Sequence, residues 1–192
     1  LDNFFKINLF SFFKKIKIVN IKFYKPRIVS KSKYICFIDT APFDHPALKI
    51  FSNEKVNQAE RKIFYYNLCL SIKKIKNHLK KRVIICLHPK YNFKYKKSDF
   101  GNLKCTLFNT NKYINESALV LFTSSSMIVS AMILKKKIIQ INSLILPTYF
   151  KSENLHWNSL FNFSNILIDR PIKLDHGYLS NLIKNAKSKI KR

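Results

Sequence analysis

Two short clusters carry residue types able to bind or activate an anion: His88-Pro89-Lys90 and Thr123-Ser124-Ser125-Ser126. An imidazole can donate to a phosphate oxygen or assist a leaving group. A run of hydroxyls at the start of a helix, beside free backbone N–H groups, is a ready site for phosphate or carboxylate. Lys90 adds a cation to the first cluster, and Lys94, Lys96 and Lys97 continue a basic loop. A third group, Asp39, Asp44 and His45, lies in the segment Asp39-Thr40-Ala41-Pro42-Phe43-Asp44-His45-Pro46 and has the types needed for acid–base work. Each cluster also has an ordinary explanation. A histidine at a strand end is a common turn residue, Ser and Thr are favoured helix caps, and Asp and Pro form loops. The elements that carry these side chains decide between the two.

Tyr34 to Ile38, Val83 to Leu87 and Ala118 to Phe122 are uncharged apolar runs, the pattern of parallel strands covered on both faces. The second ends in His88, where Pro89 helps stop the strand and leaves the imidazole at its carboxyl end. The third runs straight into Thr123. Met127, Ile128, Ala131, Met132 and Leu134 then recur at helical spacing, so Ser124 to Ser126 are expected to cap a short helix. Further strands are expected at Cys105–Phe108, Lys137–Asn142 and Asn165–Asp169. A long helix is expected from Asn53, as cap, to about Lys80, with Glu54 in its first turn and Ile63, Tyr66, Leu70 and Ile75 on its apolar face. A short helix from Thr110 or Asn111 to Ser117 and a final one from Asp175 or His176 complete the pattern. Residues 143–165 read as irregular and aromatic, a lid or a surface loop. This alternation predicts an α/β fold: a Rossmann-like, mostly parallel sheet with helices on both faces. His88 and Ser124 to Ser126 would then face one crevice.

Residues 1–33 read as a basic, aromatic arm ahead of a domain spanning 34–192. Phe5, Leu9, Phe12 and Ile16 fall on one helical face, suited equally to an anionic inner membrane or to a packed protein surface. The chain starts at Leu1, which is expected of a fragment or of an alternative start codon. With 192 residues, 47% of them hydrophobic, one folded core is the default. Only two glycines are present, which excludes GxGxxG and Walker-type loops. The net charge of +26 favours anionic partners, but lysine is spread over the whole chain, so a dedicated nucleic-acid surface is not expected. Four cysteines without CxxC spacing read as buried reduced thiols, and five scattered histidines carry no metal signature. No cofactor is expected. No apolar run reaches the ~20 residues of a membrane span, so the expected location is cytoplasmic, with peripheral contact at the inner membrane.

Leu87-His88-Pro89-Lys90 followed by Leu121-Phe122-Thr123-Ser124-Ser125-Ser126 resembles the C-terminal half of GT-B bacterial glycosyltransferases of the sialyltransferase and polysialyltransferase type, with related capsule and lipooligosaccharide enzymes. Ala131 to Ile139 is similar to the family's run of helix, basic turn and strand. Phe37 to Pro42, followed by His45-Pro46, is similar to the segment leading into this half. The resemblance covers about residues 34 to 145. It implies a single GT-B half-domain that binds a nucleotide-activated sugar, a CMP-sugar by type, for transfer to a glycan acceptor. It implies that His88 contacts the donor phosphate and assists CMP departure, with Pro89 and Lys90 beside it, and that Thr123, Ser124, Ser125 and Ser126 hold donor oxygens. The family's catalytic base belongs to the N-terminal half, so Asp39 and Asp44 are not assigned that role. Two other readings stand beside it: a CDP-polyol phosphotransferase of teichoic-acid type, and a non-enzymatic basic module for RNA or membrane.

Overall fold

In the computed structural model the described residues are 32–52, 54–89, 98–171 and 174–186. The arm up to residue 31, the proposed cap Asn53, and Lys90, Lys94, Lys96 and Lys97 lie outside them. Six parallel strands form one sheet: β1 (Tyr34–Ile38), β2 (Arg82–Cys86), β3 (Lys104–Thr106), β4 (Ser117–Phe122), β5 (Lys137–Asn142) and β6 (Ser164–Leu167). Their order across the sheet is β3-β2-β1-β4-β5-β6, and every neighbouring pair is parallel. The fold is therefore Rossmann-like α/β, with the strand order reversing between β1 and β4.

The apolar strand runs have two faces to fill, and alternate residues fill them. Ile35, Phe37, Ile85, Leu119, Leu121, Ile139 and Ile141 pack on one side with Phe64, Leu68, Ile72 and Ile75 of α1 (Gln58–Leu79) and Leu179 and Ile183 of α5 (His176–Asn185). Cys36, Ile38, Ile84, Val120, Phe122 and Ile138 pack on the other. There they meet Ile114 of α2 (Thr110–Asn115), Ile128, Ala131 and Met132 of α3 (Ile128–Ile133), and Phe161 of α4 (Thr148–Phe161).

Several expectations change, among them the face of the long helix: Ile63 and Tyr66 are exposed, and Phe64, Leu68 and Ile72 are buried with Ile75 instead. The long helix starts at Gln58, with Asn57 as its cap accepting from the Ala59 and Glu60 N–H groups at 2.9 and 3.4 Å. Glu54 instead serves α4: its carboxylate accepts from the Thr148 N–H at 2.9 and 3.1 Å and from Thr148 Oγ1 at 2.9 Å. The stretch expected to be irregular holds α4. Its buried side repeats as Phe150, Asn154, Trp157 and Phe161, and the polar Asn154 interrupts the apolar signal that would reveal the helix. Asn154 is buried because it pins α4 to β5. Its Nδ2 donates to Asn142 Oδ1 at 2.7 Å and to the Ile141 carbonyl at 3.3 Å, while Gln140 Nε2 donates to the Asn154 carbonyl at 3.0 Å. A final strand expected at Asn165–Asp169 begins one residue and ends two residues earlier, as β6.

Candidate functional site

Strand register brings the separate clusters to one level. Ile38 at the end of β1 is paired with Cys86 of β2 on one side and Phe122 of β4 on the other. Two residues beyond each lie Thr40, His88 and Ser124. With adjacent strands about 4.8 Å apart, His88 and Ser124 leave the sheet roughly 10 Å apart, with Thr40 between them. This is the edge and the reversal point at which open α/β sheets take ligands. Across it the Thr40 and Thr123 hydroxyls are 2.7 Å apart, and both residues are buried.

The loop after β1 is shaped by its own carboxylates. Asp39 Oδ1 accepts the Ala41 N–H at 2.8 Å, and Ala41 takes a positive φ of 48° to turn the chain. Asp44 is held by Arg61 of α1: Nη2 and Nε donate to Asp44 Oδ2 at 3.1 and 3.3 Å. The same guanidinium grips Asp99 with two bonds, at 2.6 and 2.9 Å. Burial opposes the charge on Arg61, but its bonds to Asp99 and then to Asp44 outweigh it and hold the guanidinium above its ordinary value. Asp39 and Asp44 are thus committed to loop structure. The loop delivers His45, whose ring meets His88 edge to face at 5.3 Å and Phe150 of α4 at 5.7 Å. His45 Nδ1 accepts the Ala47 N–H at 3.1 Å, so in the neutral ring the proton sits on Nε2.

On the β4 side, Ser124 Oγ donates to Glu153 Oε2, and the Tyr149 hydroxyl donates to Glu153 Oε1 at 2.7 Å. Burial, then the Glu153 carboxylate, push the Tyr149 phenol above its ordinary value, so it stays a donor. Ser124 has a single proton and gives it to Glu153. Toward a ligand its oxygen offers lone pairs only.

The turn between β4 and α3 carries a serine cap, as expected from sequence, and it comes from Ser125. The helix is six residues long and is preceded by Met127, which makes no side-chain cap bond. The N–H groups of Ile128, Val129 and Ser130 go to the carbonyls of Ser125, Ser126 and Met127 at 3.1, 3.2 and 3.1 Å, and the Met127 N–H goes to Ser125 Oγ at 3.3 Å. The backbone N–H groups of Met127, Ile128, Val129 and Ser130 are therefore spent within the turn. Half-buried Ser125 and exposed Ser126 add hydroxyl protons as donors.

The structure thus gathers the sequence clusters at one edge. His88 is half-buried, Pro89 exposed, and Thr123 and Ser124 buried. Thr40, Tyr149, Phe150 and Glu153 join them, and none was selected from sequence. Tyr149 and Glu153 are four apart on α4, a spacing that identifies a shared helical face only once the helix itself is recognised. Among the described residues, no group of three or more His, Cys, Asp or Glu side chains could hold a metal ion. No helix of the described residues is long and apolar enough to cross a membrane.

No family model matches the chain, and no curated protein sequence matches it. Among solved structures, the chain is similar to a UDP-GlcNAc 2-epimerase from Methanocaldococcus jannaschii, crystallised in complex with UDP-GlcNAc and UDP. The TM-score is 0.47 at 18% identity, over 86% of this chain and 42% of that one. The chain therefore spans less than half the length of that enzyme.

Proposed function

We propose that this chain is the donor-binding half of a GT-B-type glycosyltransferase that takes a CMP-activated sugar for surface-polysaccharide synthesis. The observation that carries the reading is the shared level of Thr40, His88 and Ser124 at the strand-order reversal, tied by the 2.7 Å contact between the Thr40 and Thr123 hydroxyls. The His-Pro and Thr-Ser-Ser-Ser motifs and their order support the glycosyltransferase assignment. His88 donates to the donor phosphate and stabilises CMP as it leaves, with Pro89 fixing the strand end and Lys90 adding positive charge. Ser125 and Ser126 donate to donor oxygens, while Thr123 is oriented by Thr40. The bond from the anomeric carbon to the phosphate oxygen breaks with its electron pair going to CMP. The acceptor hydroxyl forms the new bond and gives its proton to a base outside this half. The charge of +26 suits both an anionic donor and an anionic membrane face.

Calorimetric titration with CMP and CDP tests the proposal. Saturable CMP binding that weakens about tenfold to a hundredfold in His88→Ala is expected, the range for a hydrogen bond to a charged group. Preference for CDP over CMP favours the polyol-phosphate transferase. Binding of RNA or of anionic vesicles alone, steeply lost with salt and indifferent to nucleotide, overturns the enzyme reading.

A further inference from the structure

The cations of this chain are spread along the sequence, yet the strands sort them in space. In an all-parallel sheet every strand starts at one edge and ends at the other. The first residue of each strand, taken with the two before it, gives eight lysine or arginine side chains and one carboxylate, Glu116. The last residue of each strand, taken with the two after it, gives no cation and two carboxylates, Asp39 and Asp169. Arg82, Lys104 and Lys137 open β2, β3 and β5, Lys33 precedes β1, and all four are exposed. Exposed Lys80 and Lys135 stand just ahead of β2 and β5. The other two are anchored: Lys81 Nζ donates to the Ser32 carbonyl at 2.7 Å, and Lys136 Nζ to the Asn115 carbonyl at 2.5 Å. No described carboxylate forms an ion pair with any of the eight. From β3 to β5 the row covers four strand spacings, roughly 19 Å. At its β2 end Lys76, Lys80, Lys81 and Arg82 line one shallow cleft with Asn77. The dipole of α1 favours cations at its own end; it does not account for Lys104 or Lys137 at the starts of other strands.

We propose that this starting edge is the surface by which the chain sits on an anionic membrane, with the cleft seating a lipid headgroup phosphate. The proposal goes beyond the nucleotide-sugar reading, whose crevice lies at the opposite edge. Seven of the eight cations are lysines, compact charges suited to a diffuse field of headgroups rather than to forked contacts along one phosphate chain. Of the aromatic rings at the strand starts, Tyr34 packs edge to face on Tyr113 at 5.6 Å and Phe163 is buried. Neither offers a base a face to stack on, which favours lipid over single-stranded nucleic acid. Ile133, 51% exposed at the end of α3, stands two residues before Lys135 and supplies an apolar contact at the interface. The five residues of β1 set the two edges roughly 17 Å apart. The crevice therefore faces away from the bilayer.

Co-sedimentation of the full chain with vesicles tests the proposal. The probes are vesicles of phosphatidylglycerol with phosphatidylcholine, vesicles of phosphatidylcholine alone, and a single-stranded RNA oligomer. An edge variant combines Lys80→Ala, Arg82→Ala and Lys137→Ala. A control removes as many exposed cations from the segment after β1 and the first turns of α1 and α4, as Lys49→Ala, Lys62→Ala and Lys151→Ala. Each cation near an anionic surface is worth about fivefold in partition, so the edge variant should lose about a hundredfold on the mixed vesicles. Its salt dependence should flatten as well. The control should lose less than about threefold, because its cations lie beyond the Debye length of about 8 Å from the surface. Equal losses in the two variants, or no binding of wild type to the mixed vesicles, overturn the proposal. RNA binding that the edge variant loses, with vesicles unbound, assigns the edge to nucleic acid and overturns it too. Vesicles should leave the CMP affinity of wild type unchanged, and competition between them overturns the orientation. A wild type that binds vesicles but not CMP refutes the nucleotide reading alone and supports this one.

Discussion

Replacing Arg61 with methionine removes the cation that fastens the site loop while keeping the length of its stem. Arg61 is 5% exposed, lies over the Tyr65 ring at 5.2 Å, and bridges Asp44 of the β1 loop to Asp99 ahead of β3. Removing one member of a buried ion pair costs about 3–5 kcal/mol because its partner stays buried and unpaired. Here the Asp44 side chain is 30% exposed and that of Asp99 11%. Water screens Asp44 more, which sets the expectation at the lower end, about 3 kcal/mol. With a urea dependence of about 2 kcal/mol per molar, the unfolding midpoint falls by about 1.5 M. The deficit should also depend on pH. The two members of the pair respond differently: the guanidinium is held charged, whereas desolvation leaves the Asp99 carboxyl above its usual value in spite of Arg61. The two short bonds from Arg61, at 2.6 and 2.9 Å, favour the ionised carboxylate of Asp99. In the variant Asp99 loses its cation and still faces Asp44, so its folded value rises further above the unfolded one. Such a group contributes stability that is complete below its unfolded pKa and lost as pH rises through its folded pKa. The gap between wild type and variant is therefore widest near pH 7 and narrows toward pH 4. Equilibrium urea unfolding at the two pH values measures it, and adding Asp99→Asn to the variant should restore part of the loss. A deficit below about 1 kcal/mol, or one equal at both pH values, refutes the argument that this arginine neutralises two desolvated carboxylates.

Glu54→Ala should cost about 1 kcal/mol, the worth of a helix cap, and speed amide exchange in the first turn of α4, because Thr148 loses its three contacts with the Glu54 carboxylate; unchanged exchange there would mean that the cap is idle. All four cysteines are free thiols. Cys36 is pushed up by its contact with Cys86 at 3.6 Å and by burial, and burial pushes Cys69 up to about 11. An aromatic disulfide reagent at pH 8 should react slowly with the native protein and count four thiols in denaturant, whereas a count of two would reveal a disulfide.

The sequence by itself determined the α/β class, because strands buried on both faces must be continuous apolar runs, and Tyr34 to Ile38, the run before His88 and the run before Thr123 contain no charge to place elsewhere. It also exposed His88 and the serine turn, since a proline or a hydroxyl run at a strand end is visible in one dimension. Tertiary structure decided which hydroxyls still hold a proton to give. That depended on Glu153, which sits on a helix whose periodicity is broken by the buried Asn154, and Asn154 is interpretable only through its bonds to β5. Helix capping was likewise decided in three dimensions. Glu54 reads locally as the first turn of one helix, yet the chain folds it onto the start of another, far along the sequence, where unpaired N–H groups need an acceptor. Local propensity records what each residue can do; the partners that decide what it does are distant in sequence.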